Sequence, residues 1–166
     1  MSLDRPIPRL RVPVVAGTMA VALALQTTVL NSVSIGDVKP DLVLVVALCA
    51  GLMVGPGTGA LIGAAAGLFE GYAQGARIGS LGLSRAIAAF LAGTVETHVM
   101  PDSVIVPTIT VFLGSLAAHA VYFAVAPTFP IGRPLRIGLT ESLLNMLFTP
   151  PVYLALARWG LTYRRS

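Results

Sequence analysis

Charged side chains are scarce in this sequence. Its 166 residues include 11 Lys or Arg and 7 Asp or Glu, 11% in all, where a soluble domain carries about 25%. So few charges cannot coat a globule of this size, which excludes an ordinary soluble enzyme. The chain has one cysteine, so no internal disulfide can form and a disulfide-stapled secreted domain is excluded. Cys49 lies inside an apolar run, where a packing role is expected. Aromatic residues are few as well: six Phe, four Tyr and one Trp. No HExxH, CxxC, P-loop, GxSxG or GxGxxG motif occurs, and Gly79-Ser80-Leu81-Gly82 lacks the spacing of a nucleophile elbow. The net charge of +4 sits as sparse arginines at the ends of apolar runs, which is not the pattern of a nucleic-acid binder.

What the chain has instead is uninterrupted apolar sequence. Mean hydropathy is +0.84. Residues 12–36, 42–69 and 103–132 contain no Asp, Glu, Lys or Arg. A bilayer-spanning helix needs about 20 mostly apolar residues, so each run is of membrane size. The first, after Arg5, Arg9 and Arg11, is longer than the roughly 7–15 residues of a signal-peptide core, and more apolar runs follow it. It reads as an uncleaved first span. Gly55-Pro56-Gly57 interrupts the second run and predicts a tight reversal between two short spans. Polar loops are expected at 31–40, 73–82 and 98–103, and Pro127–Arg136 outside the hydrocarbon. The expected architecture is an all-α integral membrane protein, one compact bundle of six transmembrane helices at about 12–30, 42–54, 58–74, 83–97, 104–126 and 137–159. Three arginines flank each end of the chain, which predicts that both termini are cytoplasmic.

Small residues recur at helical spacing. Gly59, Gly63, Gly67 and Gly71 share one face of the third span, and Ala16, Ala20 and Ala24 share one face of the first. Such rows let helix backbones approach closely within a bilayer. They serve either internal packing or docking of a separate protein. The glycine row further predicts that the third span is the tightly packed central helix.

Polar residues inside the spans form a second set: Gln26, Asp41, Glu70, Gln74, Arg85, His119, Glu141 and Asn145. Ionisable groups at membrane depth face protein or a cavity. Glu70 is either interfacial or paired with Arg85 or Arg77. His119 is expected to be a hydrogen-bonded neutral histidine, with a proton-relay or ligand role as the alternative. Glu141 and Asn145, four apart, lie on one helix face. Glu96 and His98 are too isolated for a metal site. No catalytic residue, metal or cofactor is expected.

Several short motifs occur in a telling order. They are Pro40-Asp41-Leu42-Val43-Leu44 after a polar loop, Gly59…Gly63…Gly67-Leu68-Phe69-Glu70, and Gly75…Ile78-Gly79. With Leu25-Gln26 in the first span and Asn145 and Pro150 in the last, the chain resembles the MreD family of rod shape-determining proteins. Glu70 stands where that family commonly has Asp, which keeps a carboxylate. The resemblance implies a bacterial inner-membrane, non-enzymatic scaffold of cell elongation. It would bind MreC and connect MreB filaments with RodA and its penicillin-binding transpeptidase during peptidoglycan synthesis. It also implies a fold similar to the six-helix substrate-binding subunits of energy-coupling-factor transporters. A vitamin-binding subunit of that kind is the alternative reading, although the few aromatics offer little to line a vitamin pocket.

Overall fold

The computed structural model describes residues 8–28, 38–75, 77–95, 103–127, 132–159 and 161–163. It contains six helices: α1 (Val12–Thr28), α2 (Leu42–Val54), α3 (Pro56–Gln74), α4 (Ile78–Thr94), α5 (Ile105–Val125) and α6 (Gly132–Trp159). A two-stranded antiparallel ribbon of β1 (Pro8–Leu10) and β2 (Leu161–Tyr163) sets Pro8 opposite Tyr163. That pairing brings the start of α1 and the end of α6 to the same end of the bundle. Among the described residues one helix, α5, is long and apolar enough to cross a membrane; α1, α2 and α4 are apolar but shorter.

The helix boundaries follow local chemistry. Asp41 caps α2, its Oδ1 accepting the Leu44 N–H at 2.8 Å. Gly55, at φ 88°, ends α2, and Pro56 opens α3 at a position where its missing N–H costs nothing. The predicted reversal is therefore a single-residue turn. Gly75 ends α3 in the left-handed conformation at φ 62°.

Two expected segment bounds need correction. The segment 73–82 is not a loop, because α4 begins at Ile78 and absorbs Gly79 and Gly82. Gly82 faces Leu68 across the α3–α4 contact, so close packing holds this glycine in a helix. Likewise α6 starts at Gly132, taking in Arg133 and Arg136 from a stretch expected to be loop. Pro134 lies in its first turn, where proline is tolerated.

The central helix is α2, not α3. Every residue from Leu42 to Leu52 is buried, and Val45, Val46, Ala47, Leu48 and Cys49 expose nothing. α2 touches each of the other five helices. Its sequence, LVLVVALCAGLMV, has no polar face to turn outward, so it can be surrounded on all sides. α3 buries only one stripe, comprising Gly59, Gly63, Ala66, Gly67, Glu70 and Gly71, while Leu61, Phe69 and Tyr72 on its other faces are 73%, 57% and 80% exposed.

Candidate functional site

Side chains from five helices and the cap of α2 converge on one polar network at the end of the bundle where α2, α4 and α6 begin. Arg85 of α4 is its hub. Its Nη2 pairs with Asp41 Oδ2 and lies 2.5 Å from Glu70 Oε2. All three side chains are buried. Glu70 Oε1 also accepts from Gln26 Nε2 at 3.0 Å and from Gln74 Nε2 at 2.6 Å. Gln26 Oε1 in turn takes the Val43 N–H at 3.4 Å. Glu70 is thus neither interfacial nor paired with Arg77, which is exposed.

The helix pair α5–α6 adds two rungs. Asn145 Oδ1 accepts the Asp41 N–H at 2.7 Å, and its Nδ2 donates to Ser115 Oγ at 3.1 Å. One turn further, His119 Nε2 lies 3.3 Å from Glu141 Oε1. Ser115 and His119 are four apart on α5, as are Glu141 and Asn145 on α6, so the antiparallel helices place polar residues opposite polar residues. Ser115 was not anticipated; its only signal was a hydroxyl within an apolar run.

Asn145 is fully buried and bridges three helices. Asn145→Leu removes both bonds and strands the Asp41 N–H and the Ser115 hydroxyl. A loss of about 1–3 kcal/mol is expected, read as a lower unfolding temperature in detergent; Asn145→Asp should also be destabilising, because it buries a further carboxylate beside Asp41.

A cavity of about 1080 Å³ opens beside this network. It is lined by Asp41, Glu70, Arg85, His119 and Glu141 together with apolar and aromatic residues such as Tyr122, Phe123 and Leu135. Among the described residues, no group of three His, Cys, Asp or Glu could hold a metal ion. Glu96 and His98 lie outside the described residues.

The two rows of small residues part company. A Cβ added at Gly59 would lie 2.8 Å from Ala89 O and from Gly51 Cα, one at Gly67 2.8 Å from Gly82 Cα, and one at Gly71 2.8 Å from Ile78 Cα. At Gly63 it would meet Ala89 Cβ at 2.8 Å. The glycine row is therefore the internal contact between α3 and α4. Ala16, Ala20 and Ala24, by contrast, are exposed. α1 packs on the core through Val15, Met19, Ala22 and Leu23, leaving the alanine row facing outward.

Comparison with known proteins adds no relative: no family model, characterised protein or solved structure matches the chain.

Proposed function

We propose that this chain is a six-span, non-enzymatic scaffold of the bacterial inner membrane, of the MreD kind, which binds a single-span partner, MreC by resemblance, along α1. The observation that carries this reading is that carboxylates lie inside and large apolar side chains outside. Among the described residues every carboxylate (Asp41, Glu70, Glu141) is buried or half-buried. The outer helix faces carry Leu61, Ile105, Leu113, Leu143 and Leu147, each more than half exposed. Water would reverse this pattern, whereas hydrocarbon favours it. α2 is only 13 residues long, about 20 Å at 1.5 Å per residue. Being enclosed by protein, it need not match the bilayer thickness of about 30 Å.

Support for the MreD kind comes from the motif residues themselves. Gln26, Asp41, Glu70 and Asn145 belong to separate stretches of the resemblance and are joined in one hydrogen-bonded network. Orientation follows from the remaining cations. With Arg85 neutralised inside the bundle, Lys39, Arg77, Arg133 and Arg136 stand on one side. Arg9, Arg11 and Arg158 stand on the other, and in sequence the termini add Arg5, Arg164 and Arg165; by the positive-inside rule we read both termini as cytoplasmic. MreB, RodA and the penicillin-binding transpeptidase would then be reached through MreC.

The exposed alanine row is where a partner helix can approach closely. Ala20→Trp should reduce retention of MreC at least tenfold in a pull-down from mild detergent while leaving the unfolding temperature unchanged. Leu147→Trp, on an exposed face of α6, should retain MreC fully. Full retention by Ala20→Trp would move the interface elsewhere. The cavity keeps a vitamin-binding transporter subunit as the second reading, and a tightly bound vitamin found by mass spectrometry, without MreC, would replace the scaffold reading.

A further inference from the structure

We infer that the cavity between α1, α3, α4, α5 and α6 is a binding site for an amphiphile with an anionic phosphate head, a lipid of the surrounding bilayer. The inference goes beyond the scaffold reading and needs from it only that the chain sits in a membrane.

The argument starts from which polar atoms lack partners. Each carboxylate in the cavity wall already has its own: Asp41 takes the Leu44 N–H and Arg85 Nη2, Glu70 takes two glutamine amides, and Glu141 faces His119. The guanidinium does not. Arg85 is 4% exposed and lines the cavity, yet its Nε and Nη1 have no hydrogen-bond partner. His119 Nε2 is without a hydrogen bond but sits 3.3 Å from Glu141 Oε1. Glu70 Oε2 is without a hydrogen bond but sits against Arg85 Nη2. The unmet demand is thus chiefly for acceptor oxygens. Leaving buried donors unsatisfied is costly, most of all for charged groups, so a ligand that supplies acceptors is favoured.

Charge and shape narrow the class. Lys39 lies on the cavity lining, and Arg133 and Arg136 flank the lining residues Pro134, Leu135 and Ile137. Among the described residues, every exposed charge at this end of the bundle is cationic. Arginine matches phosphate oxygens better than any other side chain does. The volume of about 1080 Å³ is at the upper end of small-molecule pockets, which run to about 1,000 Å³. It exceeds what a lone phosphate fills. Tyr122, Phe123, Leu135 and Ile137 give the remainder an apolar wall suited to acyl chain or glycerol backbone. A free phosphate would leave that wall empty.

The test uses the full chain, purified in mild detergent and stripped of co-purifying lipid. It is titrated separately with dioleoyl phosphatidylglycerol, dioleoyl phosphatidylcholine and inorganic phosphate, and read by native mass spectrometry and thermal unfolding. One phosphatidylglycerol per chain is expected, bound about tenfold more tightly than phosphatidylcholine, whose choline offsets the phosphate charge. Because Arg85 variants are expected to misfold, the site is blocked instead by Ala73→Trp, at an exposed position on the cavity lining. This variant should lose the bound lipid and keep both its fold and MreC, while Leu147→Trp on the outer surface should keep the lipid. Equal affinity for the two lipids, or unchanged binding in Ala73→Trp, would overturn the proposal in favour of non-specific surface lipid. An equal thermal shift with inorganic phosphate alone would overturn the amphiphile assignment. Failure of the unmodified chain to retain MreC while it binds phosphatidylglycerol as expected would count against the scaffold reading only.

Discussion

Arg85→Met is expected to lose about 3–5 kcal/mol of stability, enough to remove most folded protein from a detergent extract. The substitution leaves Asp41 and Glu70 buried with no cation between them. Removing one member of a buried ion cluster strands the others, and that penalty exceeds whatever the intact cluster contributes over apolar packing. The neutral triple variant Asp41→Asn, Glu70→Gln, Arg85→Met should therefore recover more than half of the loss. Asn can still cap α2, and Gln can still accept from Gln26. A charge swap behaves differently from what the sequence alone suggests. With Glu70 and Arg85 as an isolated pair, Glu70→Arg with Arg85→Glu would restore it. Asp41 makes the cluster a triad, so the swap sets a new carboxylate at 85 against Asp41 and should not rescue folding. Thermal unfolding followed by size-exclusion fluorescence ranks the four proteins. If Arg85→Met unfolds at the native temperature, the triad has no structural role.

The glycine row should give the other large effect, with a sign that changes along the chain. A Cβ at Gly63 would lie 2.8 Å from Ala89 Cβ and from the carbonyl carbon of Arg85. Backbone cannot yield as a flexible side chain can, so α3 and α4 must move apart. Gly63→Ala should cost about 1–3 kcal/mol, and Gly63→Leu more. Displacing α4 also shifts Arg85, so the larger variant should disturb the triad and lower stability further. Gly79 lies in α4 with nothing near the position its Cβ would take. Gly79→Ala should stabilise by up to about 1 kcal/mol, since alanine is the better helix former. Unfolding temperatures that fall equally for both alanine variants would show that helix propensity and packing do not separate as described.

The helix inventory was legible in the sequence because its signals are local. Gly55-Pro56 forces a reversal whatever surrounds it, and the predicted 42–54 coincides with α2. Glycines at four-residue spacing were likewise readable as a close helix contact, and they make one with α4. Local composition misled where packing overrode it. Gly79 and Gly82 look like loop residues, yet α4 runs through both, and at Gly82 the contact with Leu68 uses the missing side chain. What no local signal could fix is which apolar helix is central. Lipid and protein core are equally oily, so an all-apolar segment such as α2 fits either, and only the tertiary contacts enclose it.

The same limit governed the polar site. The sequence itself set Gln26, Asp41, Glu70, Arg85, His119, Glu141 and Asn145 in or beside apolar spans, where polar groups face protein or a cavity, and for Glu70 it left an interfacial position open. It could not assign their partners. Asp41 is 44 residues from Arg85 and 104 from Asn145 along the chain, and spacing carries no information across such distances. The alanine row was equally ambiguous, since small residues serve internal and external contacts alike. The rotation of α1, set by Val15, Met19, Ala22 and Leu23 against the core, decided that it faces outward. Composition and spacing thus determined that polar groups must meet inside an apolar shell; the way the helices turn toward one another decided which groups meet, and left Arg85 with donors to spare.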